Sequence, residues 1–277
     1  MLEDELGPVV QRLILGERLR ELRDAAGVEL DEANDRISRY RGKLSKIENG
    51  MLAAKETELE VLFKLYEVPG PVADEVRKLG MEARKRATPE RVPDWSRQYV
   101  ALERAASEIR MAYAEVPGLL QTLEYGQAQL LRSPVVTGAD VVGMAEARWQ
   151  RGERLRRANA PKVWAVLGEE ALYREVGGPQ VLRRQLQRLR EFAHLPNVSL
   201  HVLPFSAGAS PALSCPFTLL YIERARATIA YVETLTGSDY LRSTGAYSLA
   251  FEHCQRDALP EDDTRALLDR RITDLDQ

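Results

Sequence analysis

Over residues 10–86 the apolar positions recur three and four apart, the spacing of one buried helical face. Leu15, Leu19 and Leu22 form a stripe that predicts a helix from Val10 to Ala26, stopped by Gly27. Leu30, Ala33 and Ile37 predict a second helix, and Leu44 with Ile47 a third. Ser38 to Gly42 carries the turning residues between them, and Asn49-Gly50 suits the C-terminal cap of the third. Leu59, Leu62, Phe63 and Tyr66 predict a fourth helix over Glu56–Tyr66, which Pro69-Gly70-Pro71 ends. A fifth runs over Val72–Arg86. Five short amphipathic helices can enclose a small core of their own.

Beyond Arg86 the pattern changes. Ala87–Trp95 carries Pro89 and Pro93, and reads as part of a stiff linker over 87–98. Leu102, Ala105, Ala106, Ile109 and Tyr113 share a helical face and predict a helix over Tyr99–Ala114. After a turn at Glu115–Gly118, helices are expected over Leu119–Leu131 and Val141–Ala158. Period-two, β-branched segments then enter: KVWAVL (162–167), VSLHVL (198–203), FTLLYI (217–222) and TIAYVE (228–233). The last two read as an antiparallel pair around residues 223–227. Helices over Pro179–His194, Gly245–Ala258 and Glu261–Leu275 complete the chain. The expected organisation is an all-α domain over 1–86, a linker, and an α+β domain over 99–277 with a small, about four-stranded sheet covered by helices.

Charge sharpens this picture. The 277 residues carry a net charge of −3, so any affinity for nucleic acid must come from a local patch. One such patch exists: Arg36, Arg39, Arg41, Lys43 and Lys46 fall within eleven positions that hold no acid. A charge run is ordinarily a solvated helical face. Here it sits at the junction of two short helices, where cations can neutralise phosphates and reach base edges. Arg41 and Lys43 are the candidates for guanine O6 and N7. The two cysteines form no zinc or disulfide framework, and no signal peptide or apolar run of about 18 residues is visible. A soluble, cytoplasmic protein is expected.

The segments GERLRELRDAAG, LDEANDRI and KLSKIENG resemble the lambda-repressor-like, XRE-type helix-turn-helix family. The last matches a common ending of the recognition helix, here Ser45-Lys46-Ile47-Glu48-Asn49-Gly50. The resemblance implies duplex DNA as partner and places Arg41, Gly42, Lys43, Ser45 and Lys46 on or just before the recognition helix, with Leu44 and Ile47 in the core. Three positions depart from the family pattern. Glu29 stands where Thr or Ser is usual, and an acid there repels phosphate. Asn34 replaces a small Ala packed between helices, and Ser38 replaces the turn Gly. The second half resembles DUF5753, the C-terminal domain of actinobacterial XRE-type regulators. The likeness rests on Val116-Pro117-Gly118-Leu119-Leu120-Gln121-Thr122 before Tyr125, Val176-Gly177-Gly178, Val202-Leu203-Pro204-Phe205, and the strands with Phe217 and with Tyr231-Val232-Glu233.

Candidate ligand-binding residues in this half are Tyr113, Gln121, Tyr125, Trp164, His201, Tyr231 and Glu233; packing alone accounts for most such positions. His194, His201 and His253 lie in no metal-ligand spacing, and neither a nucleophile elbow nor a P-loop is present. A Cys215–His201 pair and an anion site at Val176-Gly177-Gly178 have ordinary packing and turn readings. Arg148, Arg151, Arg154, Arg156 and Arg157 form a second basic run, read as a solvated face, a dimer interface or a further DNA contact. No metal, cofactor or catalytic residue is assigned. The leading expectation is a homodimeric DNA-binding transcriptional regulator. Its second domain would sense a small-molecule effector or bind a small partner protein. An enzyme that has inherited a regulator's architecture, with a degenerate helix-turn-helix, is the alternative.

Overall fold

A computed structural model describes residues 7–85, 94–234 and 237–276. The chain divides into two compact units; residues 97–105 and 222–227 group with the first.

The first unit contains α1 (Pro8–Ala25), α2 (Leu30–Ile37), α3 (Lys43–Glu48), α4 (Glu56–Leu65) and α5 (Gly70–Arg84). The expected stripes meet in one core of Leu15, Leu19, Ala33, Leu44, Ile47, Leu59, Leu62 and Val76, with Leu22, Leu30 and Ile37 packed against it. Each of the Leu, Ile and Val side chains among them contributes roughly 1.5–3 kcal/mol on removal from water. Two glycines are fixed by geometry. Gly42 enters α3 at φ 78°, a conformation L side chains avoid. At Gly16 of α1, an added Cβ would stand 2.5 Å from the Glu48 carbonyl oxygen, so α1 and α3 touch backbone to backbone.

From α6 (Asp94–Ala105) onward the elements are β1 (Glu108–Tyr113), α7 (Leu123–Leu130), α8 (Val141–Glu153), β2 (Lys162–Gly168), α9 (Pro179–Phe192), β3 (Val198–Leu203) and α10 (Pro211–Ser214). β4 (Phe217–Ile222), β5 (Ala227–Thr234), β6 (Gly237–Leu241), α11 (Gly245–Asp257) and α12 (Glu261–Asp274) follow. The sheet has six strands, in the order β3-β2-β1-β4-β5-β6, rather than about four. β1, β2 and β3 run parallel, joined by helical crossovers, and β4 is antiparallel to β1. The second unit is therefore α+β, with a mixed sheet.

Both additional strands correct the expected organisation. The helix expected over Tyr99–Ala114 ends at Ala105, and its second half is β1. Ile109 and Tyr113 fit a helical spacing, yet Ile109 pairs with Val163 on one side and Leu220 on the other. β6, GSDYL, has little apolar alternation and lies at the end of the sheet order. Two helix boundaries also move. Residues 118–120 form a 3-10 turn before Thr122, whose hydroxyl accepts from the Tyr125 amide at 3.2 Å and caps α7. α8 stops at Glu153 and continues as a 3-10 turn over Arg154–Arg156. Residues 87–93 of the expected linker lie outside the described residues; 94–98 belong to α6.

Strand register decides which side chains share a face. Arg110 aligns with Trp164 and Leu219, and Val166 with His201. On that face Ala112, Val166, Leu203, Phe217, Ala230 and Val232 form a core with Phe251 and Cys254 of α11. Tyr113, Thr218, Tyr231 and Glu233 alternate with these positions and point to the opposite face. At the β3 edge of the sheet the backbone groups of Val202 are taken up by residues that lead into and open α12. Leu259 N–H donates to the Val202 carbonyl at 2.8 Å, and the Val202 N–H donates to the Thr264 hydroxyl at 3.1 Å.

Candidate functional site

The basic segment forms an edge that runs from the end of α2, through the turn, onto α3. Arg36, Arg39, Arg41 and Lys46 are exposed, and among the described residues their side chains make no ion pair or hydrogen bond. The other two expected residues are engaged. Lys43 forms an ion pair with Glu58, whose second oxygen accepts from the Lys55 N–H at 2.9 Å in the capping box of α4. Ser45 is half-buried and its hydroxyl accepts from the Asn49 side chain at 3.3 Å.

Behind this edge lies a polar frame. Glu48, at the end of α3, is buried and accepts from Arg23 in bidentate fashion at 2.8 and 3.1 Å. Hydrogen bonding to Glu48 raises the Arg23 pKa against the effect of burial. Arg20 adds a contact to Glu48 at 3.5 Å and a hydrogen bond to Asn49 at 2.9 Å. Asn34 is also buried, and it bridges rather than obstructs. Its amide donates to the Tyr40 carbonyl at 3.1 Å, and its oxygen accepts from the Leu44 N–H at 3.1 Å. It thereby serves the orphan amide at the start of α3 that Gly42, lacking a side chain, leaves open. Ser38 has an extended backbone, φ −158°, which any residue adopts, and its hydroxyl accepts from the Tyr40 N–H at 3.0 Å. Two of the three departures from the family pattern are thus hydrogen-bonded into the turn. Glu29 is exposed at the N-cap of α2 and makes no capping bond.

The seven candidate ligand residues separate by face. Tyr113, Tyr231 and Glu233 share one face of the sheet. The Tyr113 hydroxyl lies 2.9 Å from that of Thr218. Tyr231 faces Tyr240 across the β5–β6 pair, with ring centroids 5.4 Å apart and planes tilted by 52°. Burial, then the charge of Glu233, raises the Tyr231 pKa far above that of an ordinary phenol, while Arg148 opposes it. Arg148 of α8 donates to the side-chain oxygens of Gln121 at 3.1 Å and Gln129 at 2.9 Å. Gln121 in turn donates to Gln129 and to the Val116 carbonyl, both at 2.8 Å, and Gln129 donates to Glu115 at 2.9 Å. Tyr125 is fully buried, and burial together with the charge of Glu115 pushes its pKa up to about 12. Trp164 and His201 lie on the other face. Arg110 sits 5.6 Å above the Trp164 ring, and His201 Nδ1 lies 3.0 Å from the Leu259 carbonyl.

Arg148, Gln129, Thr218 and Tyr240 are additions to the expected set. Arg148 belongs to the second basic run, in which Arg156 pairs with Glu191 at 2.6 Å. On the face of Trp164, an open depression of about 210 Å³ is lined by Glu108, Arg110, Leu219, Tyr221, Thr228 and Ser248. Among the described residues no three His, Cys, Asp or Glu side chains are grouped for a metal ion, and no helix is long and apolar enough to cross a membrane.

Comparison with protein-family models matches residues 14–76 to a helix-turn-helix domain and residues 96–270 to a domain of unknown function, DUF5753. Searches of curated proteins and of solved structures find no match. The first match begins within α1 and reaches into α5; the second begins within α6 and reaches into α12. With more than half of its length in the second match, the chain belongs to the DUF5753 family and carries a helix-turn-helix domain at its N-terminus.

Proposed function

We propose that the protein is a sequence-specific DNA-binding transcriptional regulator whose second domain receives a small effector molecule or a small partner protein. The observation that carries this reading is the set of four unpaired cations, Arg36, Arg39, Arg41 and Lys46, at the helix-turn-helix junction of a chain with net charge −3. Cations left unneutralised by their own protein suit the phosphates of a duplex, and a short helix entered through Gly42 suits the major groove. Arg41, exposed just before α3, is the residue assigned to a base edge. Lys43, held by Glu58, supports the frame instead. A single small module has few base contacts, so two copies reading half-sites about one helical turn apart complete the proposal.

Binding-site selection from random duplex DNA tests it. The expected result is an enriched pseudo-palindrome, with affinity that falls as log salt rises by roughly 0.9 per neutralised phosphate. Absence of any enriched sequence, or binding indifferent to salt, overturns it. The second domain's share of the reading rests on the three tyrosines, Glu233 and Arg148 gathered on one face of its sheet. Perturbed ionisable groups gathered beside a fixed polar network are the usual mark of a binding site.

A further inference from the structure

We infer that Tyr40 is a phosphate-contacting residue of the DNA interface, its phenol hydroxyl donating to the sugar–phosphate backbone beside the cations of the turn. The inference rests on the reading of the helix-turn-helix domain as a duplex-binding module and adds an uncharged contact to it.

Tyr40 is 83% exposed, more open than the other large hydrophobic side chains on the surface of the described residues, of which Leu131 follows at 66%. Among the described residues no hydrogen bond, ion pair or ring contact involves its side chain. A single exposed aromatic is ordinary on a protein surface. Tyr40 differs in combining a free side chain with a fixed backbone.

The backbone is held from two directions. The Tyr40 N–H donates to the Ser38 hydroxyl at 3.0 Å, and the Tyr40 carbonyl accepts from the Asn34 amide at 3.1 Å. Asn34 is buried, and its oxygen accepts from the Leu44 N–H at 3.1 Å, which ties the same point to α3. The two departures from the family pattern at Asn34 and Ser38 therefore converge on one residue. A residue whose main chain is already ordered loses less freedom when its side chain meets a partner.

The neighbours in the chain name that partner. Arg39 and Arg41 are exposed and, among the described residues, unpaired, so whatever meets Tyr40 also meets two free positive charges. A duplex backbone presents acceptors at regular intervals, and tyrosine hydroxyls are among the usual donors to phosphate oxygens. Such a contact fixes orientation and register, and leaves Arg41 to the base edge. The phenol is neutral and displaces no counterion, so it adds affinity without adding salt dependence.

The test uses the full chain and a fluorescein-labelled duplex of random sequence, followed by fluorescence anisotropy over a series of salt concentrations. Tyr40→Phe, which keeps the ring and loses the hydroxyl, is expected to weaken binding about three- to tenfold. The slope of log affinity against log salt should stay that of the parent, whereas Arg39→Ala should reduce it by roughly 0.9. On the sequence enriched by selection the loss for Tyr40→Phe should be the same as on the random duplex, because a phosphate contact reads no base. Ser38→Ala should weaken binding in the parent and have less effect in the Tyr40→Phe background, since the two act as a unit. Parent-like affinity for Tyr40→Phe overturns the inference and leaves the DNA reading intact. A loss confined to the selected sequence overturns the phosphate contact. Absence of salt-dependent duplex binding by the parent overturns the DNA reading itself, and the inference with it.

Discussion

The two units handle charge in opposite ways. In the helical unit the buried charge is paired and the unpaired charge is outside: Glu48 is enclosed by Arg23 and Arg20, while Arg36, Arg39, Arg41 and Lys46 stand on the exterior. In the sheet unit a cation is drawn inward instead: the Arg148 guanidinium is held by the Gln121 and Gln129 oxygens and acts on the buried Tyr231. Shape then selects the partner. An outward row of cations fits an extended polyanion, which can meet several of them at once.

The pairing of buried charge is the strongest part of this contrast, and removing it should have the largest effect. Glu48→Ala leaves the Arg23 guanidinium without its bidentate partner and is expected to destabilise the helical unit by about 3–5 kcal/mol, read by urea denaturation. The remaining Arg23–Asp24 contact at 2.8 Å places the outcome toward the lower end. A loss below about 1 kcal/mol would show that apolar packing alone sets α1 against α3.

Next is alkaline stability. The Tyr125 pKa lies at about 12 in the fold against 10.0 for a free phenol. The folded value is the higher one, so this contribution is fully present below pH 10 and is lost as pH rises through about 12. The loss over that window amounts to roughly 2–3 kcal/mol. Tyr125→Phe should flatten it; an unchanged alkaline profile would assign the effect to other groups.

For the outward cations, Arg41→Ala should weaken duplex binding by about 1–3 kcal/mol and relax one position of the selected sequence. Lys43→Ala should weaken it by less than half as much, because its charge is already taken up by Glu58. Equal losses for the two would erase the distinction between free and engaged cations. Asn34→Ala should cost about 1–2 kcal/mol of stability, from one unserved amide and one unserved carbonyl, with Asn34→Asp keeping the acceptor for Leu44.

The helical unit was legible in the sequence because each of its signals is local: stripes at helical spacing, with Gly27 and Gly42 at the ends of elements. The sheet was legible only where strands alternate strongly. β1 was hidden because Leu102, Ile109 and Tyr113 keep a helical spacing across Ala106 and Ser107, with no Gly or Pro to mark the change. β6 was hidden by its polar composition. The candidate ligand residues lie on both sides of the sheet. Trp164 and Tyr113 fall on opposite faces through strand register, which no local pattern reveals. Arg148 was read as one of a row of surface arginines, because its partners Gln121 and Gln129 are 27 and 19 positions away. Asn34 and Ser38 looked like defects in a helix-packing angle; they are hydrogen-bonding devices, visible only once Tyr40 and Leu44 are placed beside them.

The capping of Val202 on β3 has a consequence for the life of the chain outside its native form. A free strand edge is a template on which another molecule can crystallise its own backbone, and proteins that leave one open tend toward fibres. Here the residues around Leu259 and Thr264 occupy the Val202 backbone groups. Proteolytic trimming before Leu259 would unmask them. Chains shortened there should lose solubility before they lose their helical unit.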